Sequence, residues 1–422
     1  MPYKNVAAII LAAGEGTRMK SGLPKVMHHI CGRPMLGYVL DLVRSLGISR
    51  SIPVLGHKYQ EVKMALRPGM KFAVQRRLLG TADAVRCGLR LLGDFKGTVL
   101  VLYGDAPLLK KETLEKLLRH HIENGLDATV LSARIDDPAG YGRMLRDKYS
   151  NLCGIREDKD ADDFEKEIKE VNTGIICFKK EVLSRALTQI RANNRKREYY
   201  LTDAIAVIHK QGGLAESVLI KDVIEAMGIN SRKDLARANA VMQRAINEGL
   251  MAQGVSIVDP DSSFISYGAR IGRDTTIYPF TVIERGVRIG RRCSIGPFAH
   301  LKEGTSLSDD VVAGNFLEIV RSSIASKTWA KHFGYIGDSR IGSKVNVGAG
   351  CVTANFDGRN KNLTLVGDGA FIGSDTVFIA PVRVGKGART GAGSVVTKNS
   401  KIAPGSTVAG VPARPLRKKP RG

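Results

Sequence analysis

Val6-Ala-Ala-Ile-Ile10 runs without a polar residue into Leu11-Ala-Ala-Gly-Glu-Gly-Thr-Arg-Met19, and Leu23-Pro-Lys25 follows. A buried strand that ends in Ala-Ala-Gly-x-Gly leaves backbone amides bare, and residues no larger than glycine let a phosphate approach them. Arg18 and Lys25 add two cations over the same small volume. The stretch reads as a nucleoside triphosphate site. It is neither a dinucleotide fingerprint, whose third glycine is missing, nor a P-loop, whose Gly-Lys-Ser/Thr ending is absent.

Working outward, residues 1–229 alternate strand and helix signals. Pro34 to Leu46 and Thr81 to Leu92 are periodic like amphipathic helices, while Ser51 to Leu55, Lys71 to Val74 and Thr98 to Tyr103 read as strands. Such alternation predicts a mostly parallel sheet covered on both faces, with ligands at the carboxyl ends of the strands. Gly14 and Asp105 both fall at such ends. Residues 230–251 carry Leu235, Ala238, Val241, Met242, Ala245, Ile246 and Leu250 at helical spacing and read as a linker helix.

From about Val255 the style changes. Ile271-Gly, Val287-Arg-Ile-Gly290, Cys293-Ser-Ile-Gly296, Val345-Asn-Val-Gly348, Val382-Arg-Val-Gly385 and Ala388-Arg-Thr-Gly391 recur in phase with a period of six. Hexads mark a β-helix, in which a short strand buries its apolar face only when the next coil stacks on it. A β-sandwich would show longer strands and irregular turn spacing. Residues 252–415 are therefore expected to form the β-helix and residues 416–422 a basic tail.

Composition narrows the function. A chain of 422 residues, 43% hydrophobic and 25% charged, is that of a globular protein of more than one domain. It carries no apolar run of membrane-spanning length. Its six scattered cysteines form no Cys-x-x-Cys pair and read as reduced thiols of a cytoplasmic protein. The net charge of +24 would attract polyanionic small molecules. The single Trp and the lack of interleaved aromatics argue against nucleic acid as a partner.

These residues resemble a known family, the bifunctional N-acetylglucosamine-1-phosphate uridyltransferase and glucosamine-1-phosphate N-acetyltransferase. The resemblance spans nearly the whole chain. It rests on the opening motif with Pro24-Lys25, then Gln75 with Leu79-Gly-Thr81, Tyr103-Gly-Asp105, Asp137-Pro-Ala-Gly-Tyr-Gly-Arg143, Val171-Asn-Thr-Gly174, Glu198-Tyr-Tyr-Leu-Thr-Asp203 and Gly228-Ile-Asn-Ser-Arg232. The C-terminal half adds Gly314-Asn-Phe-Leu-Glu318, His332-Phe-Gly-Tyr335, Asn346-Val-Gly-Ala-Gly350, Asn355-Phe-Asp-Gly358, Lys361 and Gly373-Ser-Asp375.

The resemblance implies an α/β nucleotidyltransferase with a Rossmann-like mixed sheet, followed by a left-handed parallel β-helix. It also implies synthesis of UDP-N-acetylglucosamine from glucosamine-1-phosphate, with acetyl-CoA and UTP as co-substrates, N-acetylglucosamine-1-phosphate as the intermediate, and Mg²⁺ held by Asp105 and Asn230. Leu11, Ala12, Ala13, Gly14, Tyr103 and Gly104 match nucleotide and sugar-phosphate contacts. Gln75, Gly80 and Thr81 match uracil contacts, and Gly142, Glu157 and Asn172 match the sugar's. Arg18 would stabilise departing pyrophosphate and Lys25 would neutralise the reacting phosphates.

For acetyl transfer an amine must lose a proton, and a base near neutrality is wanted. His332 matches that base, and Glu318 a carboxylate that orients it. Tyr335, Asn346, Asn355 and Lys361 match sugar-phosphate contacts, and Ala349, Ser374 and Ala392 the acetyl-CoA groove. The family's β-helices form homotrimers that share this groove.

The chain departs from the family here. Val320 stands for a phosphate-binding lysine, with Arg321 beside it as the stand-in. Lys302 stands for an arginine, Phe356 for a tyrosine and Gly410 for a CoA-binding arginine, and the β-helix is shorter by about two coils between Glu284 and Cys293. Two other readings compete. One is a single-activity nucleotidyltransferase whose β-helix serves assembly. The other is a non-catalytic interaction protein like certain translation-factor exchange subunits, which lose the phosphate-loop cations retained here.

Overall fold

The computed structural model describes residues 3–416 and divides into two compact units, parted after Ala238. The basic tail lies outside the described residues except for Leu416.

In the first unit the opening apolar run forms β1 (Val6–Ala12), buried along its whole length. Its alternate side chains feed two cores: Ala7, Ile9 and Leu11 on one face, Val6, Ala8, Ile10 and Ala12 on the other. That requires helices on both faces, and it is why the run is continuous rather than alternating. The chain continues through α1 (Met35–Ser45), β2 (Arg50–Leu55), β3 (Ala73–Val74), α2 (Thr81–Arg90), β4 (Thr98–Tyr103), α3 (Lys111–Glu123) and β5 (Ala128–Arg134). A hairpin, β6 (Arg143–Arg146) and β7 (Leu152–Arg156), precedes β8 (Glu170–Lys179), α4 (Lys180–Gln189), α5 (Asp203–Lys210) and β9 (Ala215–Leu219).

The strands order as β9-β5-β8-β4-β1-β2-β3. β1 pairs in parallel with β4 and β2, whereas β8 runs antiparallel between β4 and β5. The sheet is therefore mixed. The register of β8 slips between Asn172 and Ile176, which breaks the ladder at Thr173-Gly174. α6 (Arg232–Ala252) follows, and the division between the units falls within it.

The second unit is the left-handed parallel β-helix that the hexads imply. Strands of two to four residues stack into three sheets, parallel throughout except for the closing strand Arg414–Pro415. Ile257 pairs with Ile277, which pairs with Ile295, so one coil takes about three hexads. The repeated apolar residue faces inward, and these stacked side chains make one continuous core. Corner residues such as Asp274, Asp310 and Asp375 adopt positive φ, where short polar side chains are tolerated best. One coil is longer: Asn346 pairs with Phe371, and the extra residues bulge between Cys351–Ala354 and Thr364–Val366. That bulge carries Asn355, Phe356 and Lys361, three of the residues the resemblance singles out.

Candidate functional site

The carboxyl ends of β1 and β4 open on a cleft of about 750 Å³. Of the residues expected at the nucleotide and sugar site, Leu11, Ala12, Ala13, Gly14, Lys25, Gln75, Gly80, Thr81, Tyr103, Asp105, Gly142, Glu157, Asn172 and Asn230 line it. Gly104 lies under the floor, where its N–H donates to the Leu11 carbonyl.

The cations meet at one amide. Arg18 Nη2 and Lys25 Nζ donate to Asn230 Oδ1 at 2.8 and 2.9 Å, and Lys25 also pairs with the Asp105 carboxylate. Asn230 Nδ2 donates to the Gly228 carbonyl, which turns Oδ1 toward the cations. Arg232 then donates to the Met19 carbonyl and lies 3.3 Å from His28 Nδ1, tying the same segment to the loop after β1. Gly16 permits this convergence: its φ is +66°, and a Cβ there would sit 2.5 Å from the Lys25 Cβ.

At one end of the cleft Gln75 is buried, 4% exposed. Its Nε2 donates to the Gly80 carbonyl at 3.0 Å and to Asp83 Oδ2 at 2.9 Å. Both neighbours are acceptors, so the amide can face them only with its nitrogen, and Oε1 remains to accept. Elsewhere in the cleft Glu157 accepts from Thr202 Oγ1 at 3.0 Å, and burial raises its pKa. Asp203 nearby is pushed up to about 6 by burial and by Glu157. Asn172 Oδ1 accepts from Gly174 N, which leaves its Nδ2 to donate. Gly174 has φ +84°, and a Cβ there would strike the Tyr103 ring. Burial raises the Tyr103 phenol well above its ordinary value.

Asp83 belongs to none of the quoted motifs, and Thr202 lies within Glu198–Asp203 without a role of its own there. Nothing local marks them, because each acts through a residue already singled out. Lys196 and Glu198 also line the cleft.

A second cleft opens on the β-helix. His332 lies at the exposed corner between the strands Trp329–Ala330 and Gly334–Gly337. With Asn346, Ala349, Ser374 and Ala392 it lines a groove of about 490 Å³. The other expected residues gather on the adjacent sheet. Glu318 pairs in register with Tyr335, and Lys302 Nζ reaches Glu318 Oε1 at 3.0 Å.

Arg321, the stand-in for the missing lysine, does not stand free: it holds Asp338 through two bonds of 2.6 and 2.8 Å. Asn355 also donates to Asp338, and Arg321 first, then Asn355 and Lys361, keep that carboxyl below its usual range. Val320 is buried. Among the described residues no group of three or more His, Cys, Asp or Glu could hold a metal ion by itself.

Residues 8–171 match the MobA-like NTP transferase domain family, and residues 268–303 and 364–398 match the bacterial transferase hexapeptide (six repeats) family. Over 445 aligned residues the chain is 42% identical to the bifunctional protein GlmU of Geobacillus thermodenitrificans, covering 98% of this chain and 96% of that one. It is 44% identical to that of Pelotomaculum thermopropionicum over 90% of each, and 42% identical to that of Shouchella clausii over 92% and 93%. Two clefts on two folds, each with its own family match, and end-to-end similarity to proteins that carry both, lead to one conclusion: the chain belongs to the bifunctional GlmU family.

Proposed function

We propose a division of labour between the two clefts. The protein is an enzyme with two transferase activities that together make UDP-N-acetylglucosamine. An acetyl group passes from acetyl-CoA to glucosamine-1-phosphate, and a uridylyl group then passes from UTP to the product, releasing pyrophosphate. Residues 1–229 carry the second step, residues 252–415 the first, and residues 230–251 link them.

In uridylyl transfer the attacking phosphate oxygen is already anionic, so the residues must align and screen charge rather than remove a proton. Arg18 faces the departing pyrophosphate and Lys25 the reacting phosphates. Gln75, Gly80 and Thr81 read the base, while Gly142, Glu157 and Asn172 hold the sugar. Asp105 and Asn230 fit Mg²⁺: their oxygens already share one cation, the Lys25 ammonium. Once bound there, Mg²⁺ would supply further screening of the crowded phosphates. The observation that carries this reading is the meeting of Arg18, Lys25, Asp105 and Asn230 at the ends of β1 and β4.

In acetyl transfer His332 takes the amine proton as the nitrogen attacks the thioester carbonyl, and CoA leaves as the thiol. Lys302, Tyr335, Asn355, Phe356 and Lys361, with Asn346 from the groove, meet the sugar phosphate, Glu318 is the carboxylate that orients His332, and the groove from Ala349 to Ala392 takes CoA. The groove lies on one face and the sugar-phosphate contacts on the next, which suits a cleft completed by another subunit of a homotrimer. Trp329, Phe333 and Phe371 are exposed beside it. No helix among the described residues is long and apolar enough to cross a membrane. No cysteine among the described residues is in a disulfide, which suits a cytoplasmic setting.

The test is a single reaction with glucosamine-1-phosphate, acetyl-CoA and UTP, following thiol and pyrophosphate release. Both should appear, with pyrophosphate dependent on acetyl-CoA. Pyrophosphate without thiol, from added N-acetylglucosamine-1-phosphate alone, would reduce the protein to a single-activity nucleotidyltransferase.

A further inference from the structure

Neither transfer reaction uses the third sheet of the β-helix, and that sheet gathers much of the unit's unpaired charge. Its outward positions stack in register from coil to coil: Arg270 on Arg288, then two serines, then Arg340, Leu365, Arg383 and Lys401. All five cations are exposed. None forms an ion pair with a carboxylate among the described residues, whereas the nearby corner arginines Arg291, Arg292 and Arg321 are each held by an aspartate. No outward position on this ladder is acidic. The inward partners of the five cations are buried core residues, so the ladder cannot rotate its charge away.

Adjacent coils are ~4.8 Å apart, so the ladder runs roughly 34 Å along one face. Arg340 and Arg383 flank Leu365 at a shallow hollow of about 380 Å³. The face carries no aromatic side chain at its outward positions, so it offers no stacking platform for single-stranded nucleic acid. A straight row of unpaired cations with one apolar residue in a hollow instead complements a plane of anionic headgroups.

We propose that this face docks the protein on an anionic phospholipid bilayer. Arg340 and Arg383 bracket headgroup phosphates, Leu365 meets the interface between them, and Arg270, Arg288 and Lys401 extend the contact.

The test is sedimentation of the full chain with vesicles of mixed phosphatidylglycerol and phosphatidylcholine, against vesicles of phosphatidylcholine alone. Binding should require the anionic lipid and weaken with salt. Each cation at a charged bilayer contributes about fivefold, so the triple variant Arg340→Glu, Arg383→Glu, Lys401→Glu should partition at least about tenfold more weakly.

A charge-matched triple in the first unit, Arg90→Glu, Lys96→Glu, Arg185→Glu, should stay within about twofold of wild type, since it removes the same net charge away from the ladder. Every variant keeps the Arg417-Lys-Lys-Pro-Arg421 sequence. Both enzymatic activities, measured alongside, should be unchanged and report folding. Equal weakening by the two triples would reduce the effect to net charge and overturn the proposal. So would a wild type that ignores anionic vesicles, or one whose ladder retains single-stranded RNA instead.

Discussion

Replacing Asp83 by alanine should relax the choice between uracil and cytosine. The Gln75 amide spends its nitrogen on two acceptors, the Gly80 carbonyl at 3.0 Å and the Asp83 carboxylate at 2.9 Å. Its Oε1 is left for the base, where uracil N3–H donates and cytosine N3 does not. Turning the amide over to suit cytosine forfeits both bonds. The neutral bond is worth about 0.5–1.5 kcal/mol and the charged one about 1.5–3 kcal/mol. Asp83→Ala removes the second cost, so the UTP-over-CTP ratio of kcat/KM should fall by about 10- to 100-fold.

The assay is pyrophosphate release from N-acetylglucosamine-1-phosphate with each nucleotide. Gln75→Ala should lose at least as much selectivity, and the double variant no more than Gln75→Ala alone, because Asp83 acts through Gln75. A ratio unchanged in Asp83→Ala, or a double variant less selective than Gln75→Ala alone, would overturn this role for Asp83.

Two further outcomes follow from the first unit. Gly16→Ala combines a left-handed backbone with a Cβ 2.5 Å from that of Lys25. It should displace the ammonium from Asp105 and Asn230 and lower uridylyl transfer at least about a hundredfold, while acetyl transfer, assayed on the same preparation, persists. His121, 2% exposed and bonded to Thr129 Oγ1, is held down to about 4 by burial and by Lys179. An unfolded histidine titrates near 6.5, so the unfolded chain binds the proton more readily. The contribution, up to about 3 kcal/mol, is present above pH 6.5 and lost as pH falls toward 4. Urea unfolding between pH 7 and 4.5 should therefore show a steeper loss in wild type than in His121→Gln, and parallel curves would contradict it.

Much of this was legible in the sequence because two periods differ so plainly. The unbroken run Val6–Ala12 could only be a strand buried on both faces, and the hexads could only stack. What local pattern could not convey was orientation. β8 is antiparallel inside an otherwise parallel neighbourhood, a fact set by long-range pairing with β4 and β5.

The candidate sites divide the same way. Glycines and cations near Gly14 announce themselves by type and spacing. The convergence of Arg18 and Lys25 on Asn230, more than two hundred residues away, is a tertiary fact. Arg321 appears in sequence as a spare cation beside Val320, yet Asp338 claims it from the next coil. Asp83 carried no signal at all, since its part is to fix how a neighbour points.

If two independent chemistries occupy one chain, a crossover of two variants should separate them. Thiol release from acetyl-CoA with glucosamine-1-phosphate, and pyrophosphate release from UTP with N-acetylglucosamine-1-phosphate, would each be measured for Lys25→Ala and His332→Ala. Lys25→Ala should lose pyrophosphate release and keep thiol release, and His332→Ala should do the reverse. If either substitution abolished both reactions in a folded protein, or His332→Ala left thiol release intact, the assignment of the two clefts would be wrong.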